Sequence, residues 1–388
     1  MSDATITLAN PLMKDIGPPV MRAPQSATGL QLPEGTVVVS ADSHWEVTED
    51  IFQEYFPEHL KDRAPRVWFD KYWRMGYKGE VEAFGLDEKI DRTLLRSVGP
   101  GVADMDLRIE HMDIEGVAKE IVFPQSLLSF IRYPKLEIQE NMYRAYNRYV
   151  AESGKRNPGR FFGVGVFSNW WDPEKAESAM QQIVDLGLKA VMVPISLGKG
   201  RDGQTVHYGD PVMERFWDVV AESGLPVAYH IGENPDTNHR GGIGTTVMVA
   251  LGSFRLLLPQ LIFGGVFDRH PDQKVVFTEG GIAWVPPVLQ DAEMTFDTFG
   301  NDDLLDKIDR RPSEYWHHNC YATFQNDLLG LSQLDIIGAD RVMWGSDYPH
   351  AESGYGFMWD SMKSIVDATT PANARKILGG TAMEVYKL

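Results

Sequence analysis

Short runs of apolar residues recur along this chain, and stretches of helical length separate them. The runs are rich in β-branched and aromatic residues, and they are continuous rather than interrupted by alternating polar residues. Apolar side chains at every position indicate strands buried on both faces, as in a parallel sheet covered by helices. The predicted strands lie at 36–42, 118–125, 160–167, 189–196, 226–232, 274–280, 320–324 and 341–347.

The segments between these runs have the length and amphipathic pattern of helices. In the last of them, Thr370 is a candidate N-cap, Pro371 suits the first helical position and Gly379 can end the helix. Strands that each lead into a helix or an insertion predict an α/β fold, specifically a (β/α)8 TIM barrel. The predicted helices lie at 136–153, 173–186, 210–223, 245–263, 283–298, 326–338, 356–367 and 370–379.

An open doubly wound sheet is the alternative architecture for such a series of strands and helices. A glycine-rich turn that binds a dinucleotide would support it. The nearest match is "GGIGTT" at 241–246, which follows "DTNHR" rather than a predicted strand. The barrel is therefore the preferred prediction.

Two segments lie outside the regular alternation. Residues 1–35 contain Pro, Gly and Ser and predict an extended N-terminal arm. Residues 53–115 are rich in Trp, Tyr, Arg and Gly, and we interpret them as an insertion that covers the mouth of the barrel. The barrel domain, including this insertion, then spans residues 36–388.

The net charge of −18 for 388 residues bears on the partners of the protein. Nucleic acids and anionic membranes both require basic patches, so we expect neither as a partner. No apolar run approaches the roughly 20 residues of a membrane span, and the N-terminus lacks the basic start and apolar core of a signal peptide. Cys320 is the only cysteine, which excludes an internal disulfide and fits the reducing cytoplasm.

Ionisable side chains stand at the ends of several predicted strands. In a (β/α)8 barrel the C-terminal strand ends share one rim, and the loops there carry the chemistry. Residues from different strands can therefore meet at that rim. The candidates are Asp42, His44, His230, Glu279, Asp347 and His350.

Four of these residues form a candidate metal site. Asp42 and His44 are two residues apart on a strand, so their side chains point to the same face. His230 and Asp347 reach the rim from the fifth and eighth strands. Two imidazoles and two carboxylates suit a divalent ion, and we expect zinc first, with manganese and iron as alternatives.

The candidate catalytic residues are Asp347, Glu279 and His350. Asp347 is expected to take a proton from metal-bound water. Glu279 can act as a general base, orient His230, serve as a fifth ligand or simply cap the following helix. His350 can bind substrate or transfer a proton, unless it is an ordinary loop histidine. Glu46 continues the alternation after the first strand and can hydrogen-bond a ligand.

Several motifs resemble the amidohydrolase-related proteins typified by aminocarboxymuconate semialdehyde decarboxylase. The resemblance runs from about residue 36 to 388 and implies a (β/α)8 barrel with one divalent ion, assembled as a homodimer. The family's metal ligands fall on Asp42, His44, His230 and Asp347. The motifs are "SADSHWE", "AYHIGEN", "FTEGGIAWVPPVLQD", "CYATFQND", "VMWGSDYPHAES" and "ANARKILGGTA".

The sequence departs from the decarboxylases of that family at two positions. They have His or Glu where this chain has Asp42, and a catalytic His where it has Glu279. A carboxylate cannot act as a cationic electrostatic partner. We therefore expect metal-activated water to hydrolyse a C–N, C–O or activated C–C bond in a small, cyclic or aromatic organic acid.

Two other functions stay open at this point. The first is metal-dependent, non-oxidative decarboxylation of an aromatic or unsaturated carboxylate. The second is a non-catalytic, metal-stabilised binding protein. Whether the enzyme is a hydrolase or a decarboxylase, its partner is a small molecule with a carboxylate or carbonyl group for the metal ion to polarise.

Overall fold

A computed structural model describes most of the chain. Residues 1–21 and 27–28 of the predicted arm, residues 70–72 and 77–104 of the predicted insertion, and Glu46 lie outside the described residues. The described residues are 22–26, 29–45, 50–69, 73–76, 105–125, 136–170, 172–199, 203–233, 239–300, 306–350 and 353–388.

Every predicted strand run contains or overlaps a strand, which confirms the periodicity argument. The first strand continues to Trp45 instead of ending at Asp42, so both Asp42 and His44 belong to it. The strands are β1 (Val39–Trp45), β2 (Arg66–Phe69), β3 (Trp73–Gly76), β4 (Lys119–Pro124), β5 (Phe161–Gly163), β6 (Gly165–Val166), β7 (Val191–Met192), β8 (Val227–His230), β9 (Val275–Thr278), β10 (Cys320–Phe324) and β11 (Val342–Trp344).

Apart from the antiparallel hairpin of β2 and β3, all pairings between these strands are parallel. One sheet has the order β1-β4-β5, and the other runs from β6 to β11 in sequence order. Val164 joins them, because its N–H donates to Val122 (2.9 Å) while the next N–H, of Gly165, donates to Ala190 (2.9 Å). β5 and β6 are thus two halves of one strand.

The end of β1 meets the segment that follows β11. The N–H of Asp347 donates to the carbonyl of Asp42 (2.9 Å), and the N–H of His44 donates to the carbonyl of Tyr348 (2.7 Å). These bonds connect the last strand position to the first. The parallel strands therefore follow one another around a (β/α)8 barrel, as predicted.

Two of the predicted helices are each divided into two shorter helices in the structure. The stretch 245–263 is two helices separated at Gly252 and Ser253, which are both poor helix formers. The stretch 326–338 is likewise two short helices, and the helix at 312–319 was not predicted. The helices are α1 (Ile51–Tyr55), α2 (Met105–Glu115), α3 (Leu136–Lys155), α4 (Pro173–Asp185), α5 (Glu214–Ser223), α6 (Gly242–Leu251), α7 (Phe254–Phe263), α8 (Val266–Arg269), α9 (Val285–Phe299), α10 (Pro312–Asn319), α11 (Leu328–Leu331), α12 (Leu334–Ile337), α13 (Met358–Ala368), α14 (Pro371–Arg375) and α15 (Thr381–Val385).

Thr370 caps α14 as predicted, since its side chain accepts a hydrogen bond from the N–H of Asn373. The helix ends at Arg375, however, and a π-helical turn at 376–380 follows it. Among the described residues, no helix has both the length and the apolar character needed to cross a membrane.

Candidate metal centre

Six ionisable side chains meet at the C-terminal ends of the barrel strands. Their relative exposure is 8% for Glu279 and 3% or less for each of the others. Burying so many charged groups is costly unless they compensate one another or bind an ion. We call this set the rim cluster, and its members are Asp42, His44, His230, Glu279, Asp347 and His350.

The first half of the rim cluster centres on Asp42. Nε2 of His230 lies 3.3 Å from Oδ1 of Asp42, and Nε2 of His44 lies 3.6 Å from the same oxygen. Nδ1 of His230 also lies 3.4 Å from Oε2 of Glu279. Strands β1 and β8, together with the residue that follows β9, therefore bring two imidazoles and two carboxylates together.

The second half centres on Asp347. Its Oδ1 lies 2.8 Å from Nδ1 of His350 and 3.2 Å from Nε2 of His44. Nδ1 of His350 also lies 3.6 Å from Oε1 of Glu279. The rings of His350 and His44 are stacked with their centroids 4.2 Å apart, so His44 joins the two halves.

Two residues of the rim cluster adopt left-handed backbone conformations. The φ angle is 68° at Glu279 and 55° at Asp347. Such angles are uncommon for residues other than glycine, and they concentrate at functional sites. Hydrogen bonds hold both positions, from the N–H of Glu279 to Oγ1 of Thr323 (2.8 Å) and from the N–H of Asp347 to the carbonyl of Asp42 (2.9 Å).

The three imidazoles differ in their protonation. Burial lowers the pKa of His44 well below its usual value, and the His350 and His230 rings lower it further. Burial acts in the same direction on His230, but the carboxylates of Asp42 and Glu279 outweigh it and raise the pKa to about 9. The pKa of His350 also lies well above its usual value, because Asp347 and Glu279 outweigh burial.

The pKa of Glu279 lies above that of an exposed carboxylate. Burial, followed by the charge of Asp347, raises the pKa of Glu279. Strongly shifted groups that face one another in a buried site are typical of functional centres. The rim cluster therefore combines a neutral imidazole at His44 with groups that retain protons near neutral pH.

The rim cluster contains two overlapping sets of four candidate metal ligands. Within each set, one ligand atom from every residue lies within 4.8 Å of the others. Asp42 and His230 belong to one set and Asp347 to the other, while His44 and Glu279 belong to both. The sets are Asp42, His44, His230 and Glu279, and His44, Glu279, Asp347 and His350.

This donor chemistry fits a divalent cation. Oδ2 of Asp42 is buried and has no hydrogen-bond partner in the described part of the chain. Carboxylate oxygens and imidazole nitrogens are the ligands that zinc and manganese accept. All four predicted ligands lie in the rim cluster, and Glu279 is as well placed as any of them.

Two residues near the rim cluster were missed from the sequence. Nε2 of His350 donates to Oε1 of Gln125 (2.8 Å), directly after β4. Arg108 of α2 donates to the carbonyl of His44 (2.9 Å). The strand-end argument could have found Gln125, because this residue ends the predicted run at 118–125.

A (β/α)8 barrel with a buried ionisable cluster at the C-terminal strand ends has the architecture of a barrel enzyme. The amidohydrolase family model matches residues 120–388. The chain belongs to the amidohydrolase family.

Two relatives span most of this chain. The 2-amino-3-carboxymuconate-6-semialdehyde decarboxylase of Dictyostelium discoideum is 24% identical over 337 residues, covering 84% of this chain and 89% of the relative. The gamma-resorcylate decarboxylase of Rhizobium radiobacter is 26% identical over 367 residues, covering 87% and 97%. A solved structure is also similar, namely 5-carboxyvanillate decarboxylase from Novosphingobium aromaticivorans, complexed with manganese and 4-hydroxy-3-methoxy-5-nitrobenzoic acid. Its TM-score is 0.66 at 17% identity, covering 94% of this chain and 99% of that structure.

Proposed function

We propose that this protein is a metal-dependent, non-oxidative decarboxylase of a small aromatic or unsaturated carboxylic acid. The rim cluster carries the proposal, because metal-type donors and a chain of proton-sharing groups lie side by side in it. The decarboxylase names of both relatives and of the similar structure support this reaction. They favour it over hydrolysis, the reaction that the sequence favoured.

The four ligands predicted from the sequence, Asp42, His44, His230 and Asp347, would hold the ion. Asp42, His44 and His230 lie in one candidate set and Asp347 lies in the other, so His44, which belongs to both, would link them. A bound divalent ion would polarise the substrate carboxylate and an adjacent oxygen. The manganese in the similar structure supports testing that ion beside zinc. Within the rim cluster, the neutral His44 ring is in the form that a metal ion requires.

Decarboxylation replaces a C–C bond of the substrate with a C–H bond. The carbon that loses CO2 receives a proton, and the electron pair of the broken bond stays on the substrate as CO2 leaves. We assign this proton to Glu279, because Glu279 is the most exposed member of the rim cluster and because burial raises its pKa. Nδ1 of His350 lies 3.6 Å from Oε1 of Glu279, slightly beyond hydrogen-bonding distance. We assign proton exchange between them to a closer approach when substrate binds.

His350 also offers a physical account of why this chain can have Glu279 where the family's decarboxylases have a catalytic histidine. The family's decarboxylases carry a histidine at that position, and a carboxylate cannot replace its positive charge. Here the carboxylate of Asp347, 2.8 Å from Nδ1 of His350, favours the charged form of His350. We assign to His350 the cationic role that Glu279, after β9, does not provide.

A product assay in oxygen-18 water tests the proposed reaction. The purified protein is stripped with a chelator, reloaded with Mn²⁺ or Zn²⁺, and incubated with gamma-resorcylate, 5-carboxyvanillate and related hydroxybenzoates. We expect metal-dependent release of CO2 with no solvent oxygen in the other product. Solvent oxygen in the product, without CO2, would identify hydrolysis and contradict the proposal.

A further inference from the structure

Arg108 lies behind the rim cluster with its guanidinium group fully enclosed. Its side chain is 1% exposed, as is that of its partner Glu120 at the start of β4. Nε and Nη2 of Arg108 both donate to Oε2 of Glu120, at 2.8 and 2.5 Å. A charged pair buried this deeply contributes little net stability compared with apolar residues of similar volume. Stability alone therefore does not account for it.

The remaining guanidinium nitrogen of Arg108, Nη1, reaches a segment that carries a proposed metal ligand. Nη1 donates to the main-chain carbonyl of His44 (2.9 Å). This carbonyl lies at the end of β1, so the bond restrains the backbone that aims the His44 ring. Arg108 thus connects α2 and β4 to the end of β1.

The same guanidinium group contacts the segment that carries Asp347. It lies over the ring of Tyr348, 4.6 Å from the centroid, which is a cation–π distance. Tyr348 directly follows Asp347 and bonds through its carbonyl to the N–H of His44. One planar cation therefore contacts two of the chain segments that contribute to the second half of the rim cluster, namely those that carry His44 and Asp347.

Two further side chains of helix α2 contact the segment after β11. Nδ1 of His111 lies 2.7 Å from the hydroxyl of Tyr355, and Oε1 of Glu115 accepts from the N–H of Gly356 (2.7 Å). Arg108, His111 and Glu115 are spaced three and four residues apart, so they share one face of the helix. This face is directed at the segment that follows Asp347.

We infer that Arg108 is a positioning residue that fixes His44 relative to Asp347 for metal binding. The inference rests on the proposed function in one respect, namely that these two residues bind the ion. Hydrogen-bonded partners behind metal ligands orient them, and replacing such partners typically weakens metal binding about 10- to 100-fold. The guanidinium group suits this role, because its rigid, planar fork serves several acceptors at once.

The test measures manganese binding to the chelator-treated full-length protein by calorimetry, with the EPR spectrum of bound Mn²⁺ as a second readout. The principal variant is Arg108→Met with Glu120→Leu, which removes the buried pair as a unit and leaves no lone charge. We expect cooperative urea unfolding near that of the wild type, a Kd for Mn²⁺ raised about 10- to 100-fold, and an altered EPR spectrum.

Arg341 provides a control at the opposite end of β11, in a more exposed pair whose side chains are 16% (Arg341) and 49% (Asp340) exposed. It pairs with Asp340 (3.0 Å), donates to the carbonyl of His318 (3.4 Å), and lies 4.8 Å from the centroid of the Tyr321 ring. Its contacts are thus of the same three kinds, but they are remote from the rim cluster. We expect Arg341→Met with Asp340→Leu to leave the Kd for Mn²⁺ within about threefold of the wild type.

Four outcomes would contradict the inference. A folded Arg108→Met, Glu120→Leu variant that binds Mn²⁺ as tightly as the wild type excludes a positioning role. Equal weakening in the control pair assigns the effect to general destabilisation. If the double variant does not fold, Arg108→Lys replaces it, because one ammonium group cannot serve Glu120 and His44 together, and wild-type affinity in that variant also contradicts the inference. A wild type that takes up neither Mn²⁺ nor Zn²⁺ removes the proposed function as well, so the two failures are distinguishable.

Discussion

Two neighbouring regions of the barrel bury carboxylates and compensate their charge in different ways. In the rim cluster, Asp42, Glu279 and Asp347 face three imidazoles. Behind it, Glu120 faces the guanidinium of Arg108. Imidazoles gain and lose protons near neutral pH, whereas a guanidinium group stays charged. Only the first region can therefore release protons when a cation binds.

Helix α2 adds a third kind of buried carboxylate. Oε1 of Glu115 accepts main-chain hydrogen bonds from Gly356 (2.7 Å) and Gln25 (3.4 Å). Burial is the main cause that raises the pKa of Glu115 to about 8. Buried acids with raised pKa values thus occur both inside and outside the rim cluster. A raised pKa alone does not identify a functional group, and the surrounding donors decide what it can do.

Replacing His230 with alanine gives the largest expected effect. His230 belongs to the first ligand set and lies 3.3 Å from Oδ1 of Asp42. Without it, that set loses its only imidazole other than His44, and we expect metal content to fall well below one ion per chain. A metal ion contributes several kcal/mol to transition-state stabilisation, so turnover should drop at least about 1000-fold.

Elemental analysis of folded His230→Ala beside the wild type measures the metal loss. His270→Ala is the matched comparison, because it removes a largely buried histidine that lies before β9 and outside both ligand sets. Its metal content should equal that of the wild type. Full metal content in His230→Ala would remove His230 from the proposed ligand set.

Glu279→Gln tests whether Glu279 acts as a proton donor or as a metal ligand, and it should have the next largest effect. The amide keeps the size of the carboxylic acid but cannot deliver an acidic proton. General acids contribute about 100- to 10,000-fold, so we expect a decrease in kcat of that order with the manganese content retained. If metal content falls in parallel with kcat, Glu279 is a ligand and its assignment as the acid is wrong.

The sequence predicted the barrel and the rim cluster for the same reason. Continuous apolar runs locate strands, and the residue after each strand lies at one end of the barrel, which is why Asp42 and His230 could be paired across 188 positions. Pattern reasoning could not reveal how the ligands divide between two overlapping sets. That division depends on side-chain directions and on the left-handed backbone at Glu279 and Asp347.

The contacts that the sequence did not predict arise from packing. Arg108 lies in α2, inside the segment 53–115 that was interpreted as an insertion, and the sequence there does not distinguish a buried arginine from an exposed one. Its bond to His44 spans 64 positions and forms only when α2 packs against the barrel. The preference for hydrolysis arose in a similar way. That prediction was based on the negative charge of Glu279 alone. The imidazole of His350 lies nearby only because of how the chain folds after β11, which places Nδ1 3.6 Å from Oε1 of Glu279.

Glu115→Gln gives the smallest expected effect, and it concerns stability rather than turnover. The pKa of Glu115 is about 8 in the folded state against 4.5 for the exposed group. Between these values the folded state binds a proton that the unfolded state has released. The wild type therefore loses stability as the pH rises from about 5 to 8, by an amount on the order of a few kcal/mol at most. The glutamine variant carries no group that ionises there, so it should gain relative to the wild type across this window.

Urea unfolding of metal-loaded protein at about pH 5, 6.5 and 8 measures this difference. Comparing variant and wild type at each pH cancels the titrations that they share, including those of the rim cluster. Glu110→Gln is the matched control, because it removes a carboxylate from an exposed position of the same helix, and its difference from the wild type should not change with pH. If the difference for Glu115→Gln is equally constant, Glu115 ionises in the folded state as easily as in the unfolded chain. The main-chain amides of Gly356 and Gln25 would then compensate its charge as fully as Arg108 compensates that of Glu120.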